Sequence, residues 1–138
     1  MYQPTDEDRD SVREWFAAYD ALAERGAVDE MADLGVFPMN LATDVPGGRA
    51  AVTSWTREDY LRVMGDVVGG GAGLESVRTP HFLTENLVVV VSEATTTVEG
   101  VRQSMTYADL LVRTADGWGF QAMIQGGWGH GWAPASRG

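Results

Sequence analysis

Gln103–Gln125, QSMTYADLLVRTADGWGFQAMIQ, decides how the rest of the chain reads. Two apolar runs flank Ala115-Asp116-Gly117, whose turn chemistry predicts a hairpin of two long strands. Side chains alternate faces along a strand, so Met105, Tyr107, Asp109 and Leu111 share one face, and Ala108, Leu110 and Val112 the other. A carboxylate therefore lies mid-strand on an otherwise apolar face. Burying an unpaired charge is costly, so Asp109 must either reach a polar partner or line a cavity.

The chain has 138 residues, enough for one domain with its own core. It has no cysteine, which excludes thiol nucleophiles, disulfides and thiolate metal sites. All ten cationic side chains are arginine, so there is neither a Schiff-base lysine nor a phosphate-loop lysine. Such a composition fits an arginine-biased bacterial genome. The formal net charge of −10 argues against nucleic acid and anionic membrane as partners. No apolar run approaches the ~20 residues of a membrane span. The start, MYQPTDEDRD, is acidic and polar, unlike a signal peptide, and predicts a cytoplasmic location.

Thr5 is a helix cap before Asp6, Glu7 and Asp8, which complement the helix dipole. Val12, Trp15, Phe16, Tyr19, Leu22 and Ala23 follow at helical spacing, with Tyr19 near the centre of the stripe and Asp20 off its edge; Gly26 stops the helix. A short helix is expected over Val28–Leu34, closed by Gly35. Val36–Leu41 reads as a short strand that Pro38 confines to an edge or a bulge. Thr43–Gly48 reads as a turn, and Ala50–Ser54 as a returning strand. Thr56 and Asp59 mark a third helix, with Trp55 against Tyr60 as its staple and Tyr60, Leu61, Met64, Val67 and Val68 as its buried stripe.

Gly69–Gly73 reads as a linker, since it has glycine but no lysine of a phosphate loop. Ser76–Thr84 and Leu87–Val98 are two further strands with Glu85-Asn86 turning between them, and Glu99-Gly100 turns into the hairpin. Glu93, Thr95 and Thr97 look like a solvated face. The tail after about Trp128 is glycine-rich and irregular, His130 included. No internal repeat or second domain is visible across 1–138. Helices first and antiparallel strands after predict an α+β fold, with three helices from the N-terminal half packed on one face of a curved, mostly antiparallel sheet. Two distant histidines, His81 and His130, and no cysteine point to no metal site.

This order and the residues filling it resemble the nuclear-transport-factor-2-like (NTF2-like) superfamily, which includes ketosteroid isomerases, scytalone dehydratase and the small SnoaL-like polyketide cyclases. The stretches that carry the likeness are FAAYDALAERGAVDEMADL (Phe16–Leu34), FPMNLATDVPGG (Phe37–Gly48) and YADLLVRTADGWGFQAM (Tyr107–Met123). The likeness spans Val12 to Trp128 and implies a cone whose open end holds a pocket. From the ketosteroid isomerases it implies an oxyanion-hole tyrosine at Tyr19, seven residues before the helix-ending glycine. It implies a base at Asp44, although Asp44 lies one residue later than the family spacing and its proline follows two residues on. It implies a protonated, hydrogen-bond-donating acid at Asp109, eight residues before the hairpin glycine.

The resemblance thus points to a cofactor-free isomerase, cyclase or dehydratase that moves a proton beside a carbonyl of a small apolar metabolite. Asp44 would take the proton while Tyr19 and Asp109 stabilise the enolate oxygen. Each residue also has a plain structural reading: a core tyrosine, a turn aspartate, a rim carboxylate bonded to arginine. A non-catalytic ligand-binding or dimerising protein of the same fold stands beside the enzyme. Phe16, Met39, Met64, Met105 and Met123 are expected to line the pocket, and His81 is a ligand-binding candidate because the dehydratases pair histidine with aspartate. Leu87, Val89 and Val91 oppose Val88 and Val90 across their strand, so the sheet is apolar on both sides and helices can cover only one. A symmetric homodimer through the outer face follows as the expectation.

Overall fold

The computed structural model describes residues 1–44, 48–65, 75–98 and 100–125. The expected linker Gly69–Gly73, the stripe residues Val67 and Val68, the Val45-Pro46-Gly47 segment, Glu99 and the glycine-rich tail with His130 lie outside them.

Three helices come first: α1 Asp6–Glu24, α2 Val28–Ala32 and α3 Arg57–Met64. Both long helices open on capping boxes. The Asp8 amide donates to Thr5 Oγ1 at 3.0 Å while the Thr5 amide donates to the Asp8 carboxylate at 2.9 Å. Thr56 and Asp59 repeat the arrangement on α3 at 3.2 and 2.9 Å. Gly26, at φ 67°, gives α1 its left-handed exit. The helix α2 stops at Ala32, short of the expected Leu34: the Leu34 amide donates three residues back to the Met31 carbonyl at 3.0 Å, and the Leu34 carbonyl accepts from Phe120 of the sheet at 3.0 Å.

Six strands form one sheet in the order β2-β1-β6-β5-β4-β3: β1 Gly35–Asp44, β2 Ala50–Trp55, β3 Glu75–Thr84, β4 Leu87–Val98, β5 Val101–Thr114 and β6 Gly117–Gln125. Every pairing is antiparallel except β1 with β6. The expected hairpin of Gln103–Gln125 is present, and Gly117 turns it at φ 114°. The expected end of β1 at Leu41 is corrected: the strand runs to Asp44. With β2 on one side and β6 on the other, Thr43 and Asp44 have ladder partners, and Thr43 Oγ1 donates to the Gln125 carbonyl at 2.7 Å. Pro38 sits on an interior strand, where the register with β6 shifts between Gly35 and Asn40; the bulge, not an edge, accommodates it.

Register sorts the helix-facing side of the sheet into tiers. The deepest joins Phe82, Val88, Leu111 and Phe120, with Met39 and Trp55 beside them. The next joins Pro80, Val90, Asp109, Met123, Leu41 and Thr53. The outermost is polar: Arg78, Ser92, Tyr107, Gln125 and Thr43. Helices seal the deep tier through aromatic rings. Trp15 and Tyr19 of α1 and Tyr60 of α3 all meet Phe120, with ring centroids 5.7, 5.2 and 5.8 Å away. Trp55 packs on Tyr60 at 6.4 Å, the staple the sequence implies. No helix among the described residues is long and apolar enough to cross a membrane.

Candidate functional site

Asp109 faces the helices from the middle tier, buried among apolar neighbours: Val90 and Met123 flank it across the ladder. Among the described residues nothing donates a hydrogen bond to it. Desolvation pushes its carboxyl up to about 7, and the charge of Arg78 opposes that shift. The two protonation states of Asp109 are therefore comparably populated near neutral pH. That is the condition for a group that both takes and gives a proton.

Tyr19 and Tyr60 stand beside it. Their hydroxyls share a hydrogen bond of 2.8 Å, linking α1 to α3. Burial is the main cause that raises both phenols: Tyr19 goes well above its usual range, with Tyr60 and then Asp109 adding to the shift. Tyr60 is pushed up to about 12 by burial. Both therefore stay protonated and act only as hydrogen-bond donors or acceptors. Proximity to Asp109 is electrostatic and not a hydrogen bond; the partner of Tyr19 is Tyr60. Trp15 stacks on the Tyr19 ring at 5.3 Å and 10°, which fixes the phenol's orientation.

Arg78 is the residue that sequence reasoning could not place. Register puts it on the inner face, where its guanidinium donates to both carboxylate oxygens of Asp20 at 2.7 and 3.0 Å and lies 4.3 Å from the centroid of Phe16. Its pKa is raised: burial works against the charge, and the bonds to Asp20 and proximity to Tyr107 outweigh it. Ser92, level with Arg78 on the neighbouring strand, has a buried hydroxyl that lacks a hydrogen-bond partner among the described residues. Arg113, by contrast, lies at the far end of β5 over Trp118, 4.2 Å from its ring.

The other candidates scatter. Asp44 is exposed and shares its strand face with Asn40 and Ala42, away from the helices. The inner position beside it belongs to Thr43, which is 5% exposed. Side-chain alternation makes a one-residue offset decisive here: the family-like spacing that Asp44 missed by one residue falls on a hydroxyl that cannot serve as a base. His81 is exposed and pairs with Val89 on the outer face, so it does not join Asp109. Met39 and Met64 are buried in the core, Met123 flanks Asp109, and Met105 accepts a bond from Gln125 Nε2 at 3.3 Å. Among the described residues no group of three or more His, Cys, Asp or Glu could hold a metal ion.

A cleft of about 380 Å³ opens between α1 and β3, bounded by Phe16, Asp20, Arg78 and Val90 among others. Of the expected lining residues it includes Phe16 only; Tyr19 and Asp109 do not line it, although Val90, which does, is the register partner of Asp109.

The sequence matches no protein-family model and no curated protein. Solved structures are similar. A proposed dehydratase of the NTF2-like family from Streptomyces avermitilis is 21% identical, with 88% of this chain and 96% of that chain covered and a TM-score of 0.65. Aln2 from a Streptomyces species is 16% identical, with 91% and 94% covered and a TM-score of 0.65. A proposed scytalone dehydratase from Novosphingobium aromaticivorans is 16% identical, with 85% and 81% covered and a TM-score of 0.60. Three helices on a mixed, mostly antiparallel six-stranded sheet have the NTF2-like fold. Likeness at this level of identity carries the architecture, and one architecture hosts many activities.

Proposed function

We propose that the protein binds a small, mostly apolar molecule against the inner face of its sheet and shifts a proton beside that molecule's carbonyl group, as an isomerase, cyclase or dehydratase without a cofactor. The observation that carries this reading is Asp109, a buried carboxyl beside a hydrogen-bonded tyrosine pair and free of hydrogen-bond donors among the described residues. In this reading the Asp109 carboxylate takes a proton from carbon next to the carbonyl. Tyr19, held by Tyr60, donates to the oxygen on which the enolate charge gathers. The protonated Asp109 then returns the proton to another carbon, or to a departing hydroxyl.

The test is deuterium exchange and double-bond migration in β,γ-unsaturated ketones. Asp109→Asn should lower the rate by about 10²-fold or more, the range for a lost general acid–base group, and Tyr19→Phe by less. The wild-type rate should follow a group titrating near 7. A second reading has its own observation: with Asp44 outward and Thr43 inward, no separate base faces Asp109 among the described residues. If the protein binds such ketones yet exchanges none of their protons, it is a non-catalytic binder.

We also propose that a second copy covers the outer sheet face. A shallow groove of about 500 Å³ crosses β2, β1 and β6 there, with Val52 and Ile124 80% and 51% exposed beside Ala42 and Ala122. Light scattering at micromolar concentration should give the mass of two chains, and Ile124→Arg should give one. A monomeric wild-type chain would exclude the pairing.

A further inference from the structure

The cleft between α1 and β3 differs in charge from the chain around it. Its floor is apolar, formed by Val12, Phe16 and Val90. Around that floor stand Arg9, Arg13 and Arg78 against one carboxylate, Asp20. Three positive side chains against one negative line a cleft in a chain whose formal charge is −10. A cationic cleft with low-dielectric walls draws anions out of proportion to the protein's net charge.

The arginines have capacity to spare. Arg9 and Arg13 pair with Asp6 and Asp10 on the same helix, but their side chains are 47% and 73% exposed. Pairs that exposed contribute little and release readily. Arg78 is held in place instead, its guanidinium carbon 4.3 Å from the Phe16 centroid and its two terminal nitrogens bonded to Asp20, while its buried Nε has no acceptor among the described residues. Its fork is engaged by Asp20, so a ligand carboxylate meets this guanidinium by sharing or displacing Asp20.

We propose that this cleft binds a small amphipathic carboxylate, an organic acid whose apolar body lies on Val12, Phe16 and Val90 and whose carboxylate meets Arg78 between Arg9 and Arg13. A phosphate ion would match the rim but leave the apolar floor uncovered. A neutral ligand would match the floor and leave the rim unanswered. The site needs neither Asp109 nor proton transfer, so it goes beyond the reaction suggested above.

The experiment uses octanoate and 4-phenylbutanoate beside their primary amides, followed by calorimetry and by protein-observed NMR. Each acid should bind about tenfold or more tightly than its amide, the equivalent of one charge-assisted hydrogen bond, with shifts at Phe16, Arg78 and Val90. Rising salt should weaken the acids and spare the amides. The double variant Arg9→Gln/Arg13→Gln, on an exposed helix face, should weaken the acids severalfold without changing stability. Asp20→Asn, which frees Arg78 from its competitor, should tighten them; if Arg78 served only to anchor Asp20, the same change would loosen the cleft and weaken binding. Asp109→Asn, which removes a negative charge that Arg78 feels, should not weaken acid binding. Equal binding of acids and amides, shifts mapping elsewhere, or no acid bound at millimolar concentration would each overturn the proposal. None of these outcomes bears on ketone exchange by Asp109.

Discussion

Replacing Phe120 with alanine should cost the fold about 3–5 kcal/mol, the range for removing a buried aromatic side chain. Phe120 is 1% exposed, and three rings from two helices converge on it: Trp15, Tyr19 and Tyr60. Truncation would open a void at the point where α1, α3 and β6 meet, and aromatic edge-to-face contacts would be lost with the buried area. Phe120→Leu refills most of the space and should recover most of the loss. Val52→Ala is the comparison on the outer face: Val52 is 80% exposed, and such a change stays within about 0.5 kcal/mol in the monomer. Urea unfolding with near-ultraviolet circular dichroism measures all three. If Phe120→Ala costs no more than Val52→Ala, the helices do not seal on that ring.

The second large effect is a pH dependence. Burial raises the carboxyl of folded Asp109 to about 7 from the usual 3.8. As pH climbs, the unfolded chain gives up that proton first, so the native state is penalised. The stability belonging to the neutral acid is fully present below about 4 and is lost as pH rises through about 7. Asparagine has no proton to lose. The stability of Asp109→Asn relative to wild type should therefore increase from pH 4 to pH 8 by as much as about 4 kcal/mol, roughly three pH units at about 1.4 kcal/mol each. Comparing the variant with wild type cancels the titration of the remaining carboxylates. Denaturation of both proteins at pH 4, 6 and 8 gives the difference directly; parallel curves would leave Asp109 an ordinary surface-like carboxylate.

Local chemistry determined much of this protein. Capping boxes at Thr5 and Thr56, the exit at Gly26 and the turn before Gly117 are set by side chains within a few residues of one another, so each was readable from the chain. Strand parity likewise placed Asp109 with Leu111 and Tyr107 on one face, and Leu87 opposite Val88, because alternation requires no knowledge of neighbours. What parity cannot say is which strand lies beside which, and in what register. Arg78, a possible counter-charge to Asp109 by sequence, could be given no face until β3 paired with β4, which set it level with Ser92 and bonded it to Asp20, fifty-eight residues away in the chain. Asp44 failed for the complementary reason: a carry-over by spacing tolerates a one-residue offset, whereas a strand does not, and that offset turned the carboxylate outward and Thr43 inward. The sequence by itself determined the elements, the α+β order and the acid at Asp109. The tertiary structure alone decided that acid's company, the Tyr19–Tyr60 pair and the Arg78–Asp20 bridge, since those contacts arise only where helices cross a sheet whose register is already fixed.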